Sequence, residues 1–189
     1  KSFKIGWNTT RLAQQERSLL NYMPQQVPGI NSPMMYVGML FSSFCWHTED
    51  NYLFSINYIH SGACKSWYSI PAGAYAQFEV AMRKTLPELF DAQPNLLHML
   101  ITMLSPRVLR SFNVPIYKML HEAGTYMITF PRSYHAGFNH GFNVAESVNF
   151  APPNWLAYGR HAIENYRKCH RPTAFSHEEL VVNTARNFK

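Results

Sequence analysis

The sequence predicts a mainly β protein with helical decoration, a β-sandwich or jelly roll rather than a doubly wound sheet. Three observations carry that prediction. Short stretches rich in aromatic and β-branched residues recur at 34–44, 53–59, 65–70, 116–120, 125–130 and 144–150. Turn-forming pairs such as Asp50-Asn51 and Ser61-Gly62, together with Pro71, separate the first of them. Strand and helix do not alternate regularly, as a parallel sheet would require.

The chain divides into a helical lead-in at 1–33, a β body at 34–151 with a helical insert at about 73–112, and a helical tail at 152–189. In the lead-in, Thr9 or Thr10 can cap a helix that carries Leu12, Leu19 and Leu20 on one side and stops at Pro24. Val27-Pro28-Gly29-Ile30 and Ser32-Pro33 are turn chemistry. Within the β body, Ser55 and Asn57 share a face by period two, and so do Lys65, Trp67 and Ser69. A lysine opening an otherwise apolar strand is usually an edge charge against aggregation, but it can also point inward at an anion.

In the insert, Tyr75, Phe78, Met82 and Leu86 recur at helical spacing, Glu79 and Arg83 form an i,i+4 pair, and Pro87 ends the run. Ser105-Pro106 is an N-cap followed by an N1 proline, opening a helix with Val108, Leu109 and Phe112. His98, on the Leu-rich segment between, suits a packed structural role. The stretch 131–143, PRSYHAGFNHGFN, lies between the last two strands and carries a doubled G-F-N, whose glycines allow tight turns and close backbone approach. In the tail, Trp155, Ala162, Ile163 and Tyr166 mark one helix. Ser176 to Glu179 is a capping box stapled by Phe175 and Leu180.

With 189 residues the chain can bury a sizeable core, and no apolar run reaches the ~20 residues of a membrane span. The start, KSFKIGWNTT, has no signal-peptide pattern and reads as internal, so a piece of a larger protein is expected. Three cysteines, Cys45, Cys64 and Cys169, lack C-x-x-C spacing, which suggests a reducing compartment and argues against a cysteine-based zinc site. The net charge is +6, and Arg160, Arg167, Lys168 and Arg171 cluster late. Such a face can meet nucleic-acid phosphate, or simply be a solvated helix surface. A basic peptide would need local acid, for which Glu49, Asp50, Glu122 and Glu146 are available.

The chemistry concentrates at 41–50, FSSFCWHTED. In extended backbone, His47 and Glu49 point to one face and present an imidazole beside a carboxylate. H-x-E arises often by chance, and one such histidine is ordinarily a hydrogen-bonded structural residue. Here the pair follows a Phe/Met-rich run, where two polar groups need a partner. A metal ion is one such partner, and two-His-one-carboxylate sites suit non-haem Fe(II) with open positions. His135 and His140 both lie where a third ligand could be supplied; spacing does not choose between them.

The segments YVGMLFSSFCWHTED, YLFSINYIHSGACKSWYSIP and GTYMITFPRSYHAGFNHGFNVAESVNF resemble the JmjC-domain histone lysine demethylases, which are Fe(II)/2-oxoglutarate oxygenases. The resemblance runs from about Gly6 to the end. PELFDAQPNLLHML and YRKCHRPTAFSHEELV are most similar to the branch acting on histone H3 lysine four. GINSPMMY and HAGFNHGFN are equally similar to the lysine-nine and thirty-six branch. That second branch carries a Cys/His zinc site. His98 falls at its histidine, but Ala92 and Asn165 fall where cysteines belong, so no zinc site is expected here.

The resemblance implies a double-stranded β-helix (a cupin-like jelly roll) with C-terminal helices. It implies His47, Glu49 and His135 as catalytic iron ligands, and so selects His135 over His140. Lys65 matches the residue that pairs with the distal carboxylate of 2-oxoglutarate. Asn57 and Ser55 match further hydrogen-bonding partners of that cosubstrate, and Phe44 and Trp67 its aromatic walls. Tyr36 and Gly29 match the methylammonium pocket, with Ser147, Val148 and Asn149 nearby. A tyrosine that the family places upstream has no counterpart here, and Ser147-Val148 mixes the residues of the two branches. The expected activity is demethylation of a histone H3 tail in the nucleus, using Fe(II), 2-oxoglutarate and O2 and releasing formaldehyde and succinate. Nucleosomal DNA is an expected partner of the basic C-terminal face. A JmjC protein hydroxylase and a catalytically silent chromatin-binding module are the alternatives.

Overall fold

A computed structural model of the chain describes residues 7–92 and 102–187. Eight strands, β1 (Met34–Gly38), β2 (Ser43–His47), β3 (Phe54–Gly62), β4 (Lys65–Ile70), β5 (Tyr117–His121), β6 (Tyr126–Thr129), β7 (Tyr134–Asn139) and β8 (Asn143–Phe150), form two four-stranded sheets. One has the order β1-β8-β3-β6, the other β2-β7-β4-β5. Every pairing is antiparallel. Strands that alternate between two antiparallel sheets in this way make a jelly roll.

Three expectations about the strands and the lead-in change. The apolar run 34–44 is not one strand but two, β1 and β2, in different sheets. The chain turns between them, with Phe41 left-handed at φ 62 and the Ser42 hydroxyl accepting from Met39 N–H at 3.0 Å. The stretch 131–143 is not only turns. It contains β7, a central strand between β2 and β4. Its Gly137 marks close packing, because a Cβ there would come within 2.2 Å of the Ser66 carbonyl oxygen and 2.5 Å of the Phe44 ring. In the lead-in, Asn8, not Thr9 or Thr10, caps the helix, its side chain accepting from Thr10 N–H at 3.0 Å. Thr9 is buried and gives its hydroxyl to Glu146. That helix, α1 (Thr9–Leu12), stops before Leu19, and Leu19–Tyr22 form a separate tight turn.

The insert supplies α2 (Tyr75–Thr85), α3 (Pro87–Ala92) and α4 (Pro106–Ser111). Ser105 caps α4, accepting from Val108 N–H. After the turn Pro153–Trp155 come α5 (Leu156–Lys168) and α6 (His177–Asn187), where Ser176 accepts from Glu179 N–H at 3.1 Å as a capping box requires. His98 lies outside the described residues.

Apolar burial falls into two clusters. Trp46, Phe78, Met82, Leu109, Tyr134, Ile163 and Tyr166 bury the insert and α5 against the second sheet. Leu19, Leu20, Leu53, Trp155 and Leu180 tie the lead-in and α6 to the end of the first. No described helix is long and apolar enough to cross a membrane.

Candidate metal centre and cavity

β2 ends at His47, and Glu49 follows in extended backbone at φ −63, ψ 152, so the two side chains emerge on one side. β7 pairs with β2 so that His135 lies directly opposite His47. One atom from each of His47, Glu49 and His135 lies within 4.8 Å of the other two. It is the one such cluster of histidine, cysteine and acidic ligands among the described residues. The imidazole centroids are 4.2 Å apart, and His135 Nε2 is 3.3 Å from Glu49 Oε1.

Both rings are anchored from behind. Nδ1 of His47 contacts the Cys45 carbonyl at 2.8 Å, and Nδ1 of His135 the Ser133 carbonyl at 3.0 Å. Each carbonyl fixes Nδ1 as the protonated nitrogen and leaves Nε2 a lone pair, the tautomer a metal-ligating histidine uses. Burial, reinforced by His135, brings His47 down to about 4, so it is neutral near pH 7. Burial alone would raise Glu49, but in acid the protonated ring of His135, helped by that of His47 and by the Asn149 amide, holds its carboxyl down to about 2. A neutral imidazole beside an ionised carboxylate is the state a divalent cation needs. The donor set of two imidazole nitrogens and a carboxylate fits Fe(II).

The cluster opens into a cavity of about 340 Å³. Phe44, Trp67, Asn57 and Lys65 line one part. Phe44 meets Trp67 edge to face at 4.6 Å, and Trp67 stacks on His135 at 5.8 Å. Lys65 belongs to an interior strand, which removes the edge-charge role, and it is only 9% exposed. Its Nζ donates to Asn139 Oδ1 at 2.6 Å. No carboxylate among the described residues lies within ion-pair distance of it. Its Nζ thus has a neutral amide as partner on the cavity wall, and burial lowers its pKa. Ser55 stands behind this wall. It is buried, shares a hydrogen bond with Thr129 at 2.5 Å and receives Asn57 Nδ2 at 3.3 Å.

Gly29, Tyr36, Ser147 and Asn149 line the other part of the cavity, beside Glu49, Asp50 and Arg171. Gly29 is left-handed at φ 83, and its carbonyl accepts from Asn149 N–H at 2.9 Å. Val148 is fully buried and is not part of the lining. Asn149 donates to Glu49 Oε2 at 2.9 Å, so it holds the carboxylate. Of the anticipated acidic supply, Glu49, Asp50 and Glu146 border the cavity and Glu122 does not.

Asn139 and Arg171 were not singled out as site residues. Asn139 could have been, since the doubled G-F-N motif supplies both Asn139 and Asn143, and both amides converge beside Lys65. His140 does not join the cluster; it bonds Ser66 Oγ at 2.8 Å. On the basic tail, Arg160, Arg167 and Arg171 each face a carboxylate, Glu164, Glu178 and Asp50 respectively. Asn165 donates to the Tyr52 hydroxyl at 3.0 Å, and the three cysteines are free thiols.

Residues 34–150 match the family described as "JmjC domain, hydroxylase". Residues 154–189 match "Lysine-specific demethylase 5, C-terminal helical domain". Among curated proteins, the chain is 51% identical over 180 residues to "Lysine-specific demethylase JMJ17" of Arabidopsis thaliana, covering 95% of this chain and 15% of that protein. It is 48% identical over 186 residues to "Putative lysine-specific demethylase JMJ16" of the same plant, covering 98% of this chain and 15% of that protein. The chain thus spans about 15% of the length of these curated relatives.

Proposed function

The chain belongs to the JmjC-domain family, and from that membership we propose that it is the catalytic core of an Fe(II)- and 2-oxoglutarate-dependent histone lysine demethylase. What carries this activity is one convergence: His47, Glu49 and His135 meet at a cavity whose far wall holds the buried cation Lys65. The named activity of the relatives at about half identity supports it.

His47, Glu49 and His135 would hold iron, and with 2-oxoglutarate and dioxygen the metal supplies the oxidation of an N-methyl group, giving formaldehyde, succinate and carbon dioxide. The protein's own residues bind and orient. Lys65 offers a point charge to the distal carboxylate, and Asn57 a neutral amide beside it. Phe44 and Trp67 wall the cosubstrate and keep water from the reacting side. Tyr36 presents an aromatic face and a hydroxyl where a methylammonium would enter, with the carboxylates of Glu49 and Asp50 nearby. Left-handed Gly29, on the same part of the lining, has no side chain to crowd that entrance.

The substrate is a methylated lysine of a histone tail, with histone H3 lysine four favoured. The match of the last 36 residues to the lysine-specific demethylase 5 helical domain supports that branch. A histone substrate places the enzyme in the nucleus. Three of the four clustered basic residues, Arg160, Arg167 and Arg171, are ion-paired, so peptide recognition at the cavity, more than contact with nucleosomal DNA, is what the site supports.

The test is mass spectrometry of a panel of methylated histone H3 peptides incubated with the chain, Fe(II), 2-oxoglutarate and ascorbate, with the His47→Ala chain alongside. Iron-dependent loss of methylene mass, greatest on the lysine-four peptides and absent in His47→Ala, is expected. Gain of one oxygen mass without methylene loss would instead make the chain a protein hydroxylase. No iron-dependent change, and no succinate, would make it a silent binding module.

A further inference from the structure

The strands do not by themselves close the turn that carries Glu49. After Glu49 the chain passes through Asp50–Tyr52, where Asn51 at φ 49 and Tyr52 at φ 50 are both left-handed. Neither is glycine, and an aromatic residue is especially costly in that conformation. Both are completely buried, so the surroundings must hold them there.

Two backbone bonds close the turn itself, Tyr52 N–H donating to the Glu49 carbonyl at 3.1 Å and Leu53 N–H to the Asp50 carbonyl at 3.0 Å, and the rest of the restraint comes from the C-terminal helical tail. The Tyr166 hydroxyl accepts from Asn51 N–H at 3.0 Å, and Trp155 Nε1 donates to the Asn51 carbonyl at 3.0 Å. Asn51 Nδ2 donates to the Phe175 carbonyl at 3.4 Å, and Asn165 Nδ2 to the Tyr52 hydroxyl at 3.0 Å. Arg171 lies over the Tyr166 ring, 4.6 Å from its centroid, and reaches Asp50 Oδ1 at 2.7 Å. Both backbone polar groups of Asn51 are thus satisfied by side chains from outside the jelly roll.

We propose that Tyr166 is a positioning residue for Glu49. By fixing the left-handed turn two residues on, it sets where the carboxylate stands relative to His47 and His135, and so sets metal affinity from the helical tail. Without the hydroxyl, the buried Asn51 N–H loses its partner, and the turn relaxes toward ordinary backbone angles. The backbone of Glu49 then shifts, and His135 and Asn149 hold its oxygens against a looser support. This inference rests on His47, Glu49 and His135 being the metal ligands.

The test is Co(II) titration of the whole chain, followed by its visible absorption bands, for the parent, Tyr166→Phe and Leu109→Ala. Tyr166→Phe removes one hydroxyl and keeps the ring under Arg171. Leu109→Ala opens the same core at α4 but touches none of the hydrogen bonds that hold the turn, and serves as a destabilised control. Expected is about tenfold weaker Co(II) binding with altered bands for Tyr166→Phe, the usual effect of losing support to a metal ligand. Leu109→Ala should melt at lower temperature and yet bind Co(II) as the parent does. The inference is overturned if Tyr166→Phe binds within about twofold of the parent with unchanged bands, a difference under half a kcal/mol. It is equally overturned if Leu109→Ala weakens Co(II) as much, since the effect would then follow overall stability. A parent chain that binds no Co(II) removes the metal centre itself, a failure visible before any substitution is made.

Discussion

Lys65 carries a full charge into a wall that gives it only an amide oxygen. A neutral partner fixes the position of an ammonium without cancelling its charge, so the residue is ready for a carboxylate. Lys65→Ala should therefore weaken 2-oxoglutarate binding by about 2 kcal/mol, roughly thirtyfold, as measured by calorimetry with Mn(II) in place of iron. Affinity within threefold of the parent would mean that the anion binds elsewhere. At this scale the ligand pair was legible, because H-x-E in extended backbone dictates a shared face. The job of Asn149 was not. It lines the cavity with Tyr36 and Gly29, and its amide also holds Glu49, which the pairing of distant strands decides.

β7 brings His135 to His47, and it could not be read from local sequence. Glycine is a turn signal in one context and a mark of close packing in another, and Gly137 is the second kind. Its absent Cβ is what lets Phe44 lie against the strand, and Phe44 in turn walls the cavity. Gly137→Ala should destabilise the fold by about 2 kcal/mol, the usual cost of forcing a methyl into a packed site, as measured by denaturant unfolding. A loss below about half a kcal/mol would mean that the strands part easily there. The helical elements were more legible, because caps such as Ser105 and Ser176 are local devices, each made by a side chain three residues from its partner. The left-handed turn at Asp50–Tyr52 had only the Asp50-Asn51 signal. Its anchors lie more than a hundred residues further along.

Taken whole, the molecule buries imidazoles outside the metal cluster as well. His121 and His177 are at most 9% exposed, and burial pushes both pKa values down. Unfolding releases them to the ordinary value near 6.5, so below about that pH the unfolded chain binds more protons than the folded one. Stability should then fall as pH drops from about 7 to about 5.5, in chelator, and stay level from this source above about 7. His121→Gln, which keeps a donor for the Thr125 carbonyl, should flatten the slope. A parent whose unfolding midpoint is unchanged over that window would contradict the burial of these rings.

The jelly roll itself was legible from short strands and turn signals, but the division of strands between two sheets was not. That division places His47 and His135 on neighbouring strands and sends His140 to Ser66. Stoichiometric Fe(II) binding under anaerobic conditions, compared between His135→Ala and His140→Ala, measures its consequence directly. Binding lost in His135→Ala and retained in His140→Ala is the predicted result. Binding that survives in His135→Ala, or disappears in His140→Ala with the fold intact, would mean that the metal is held by a different set of residues.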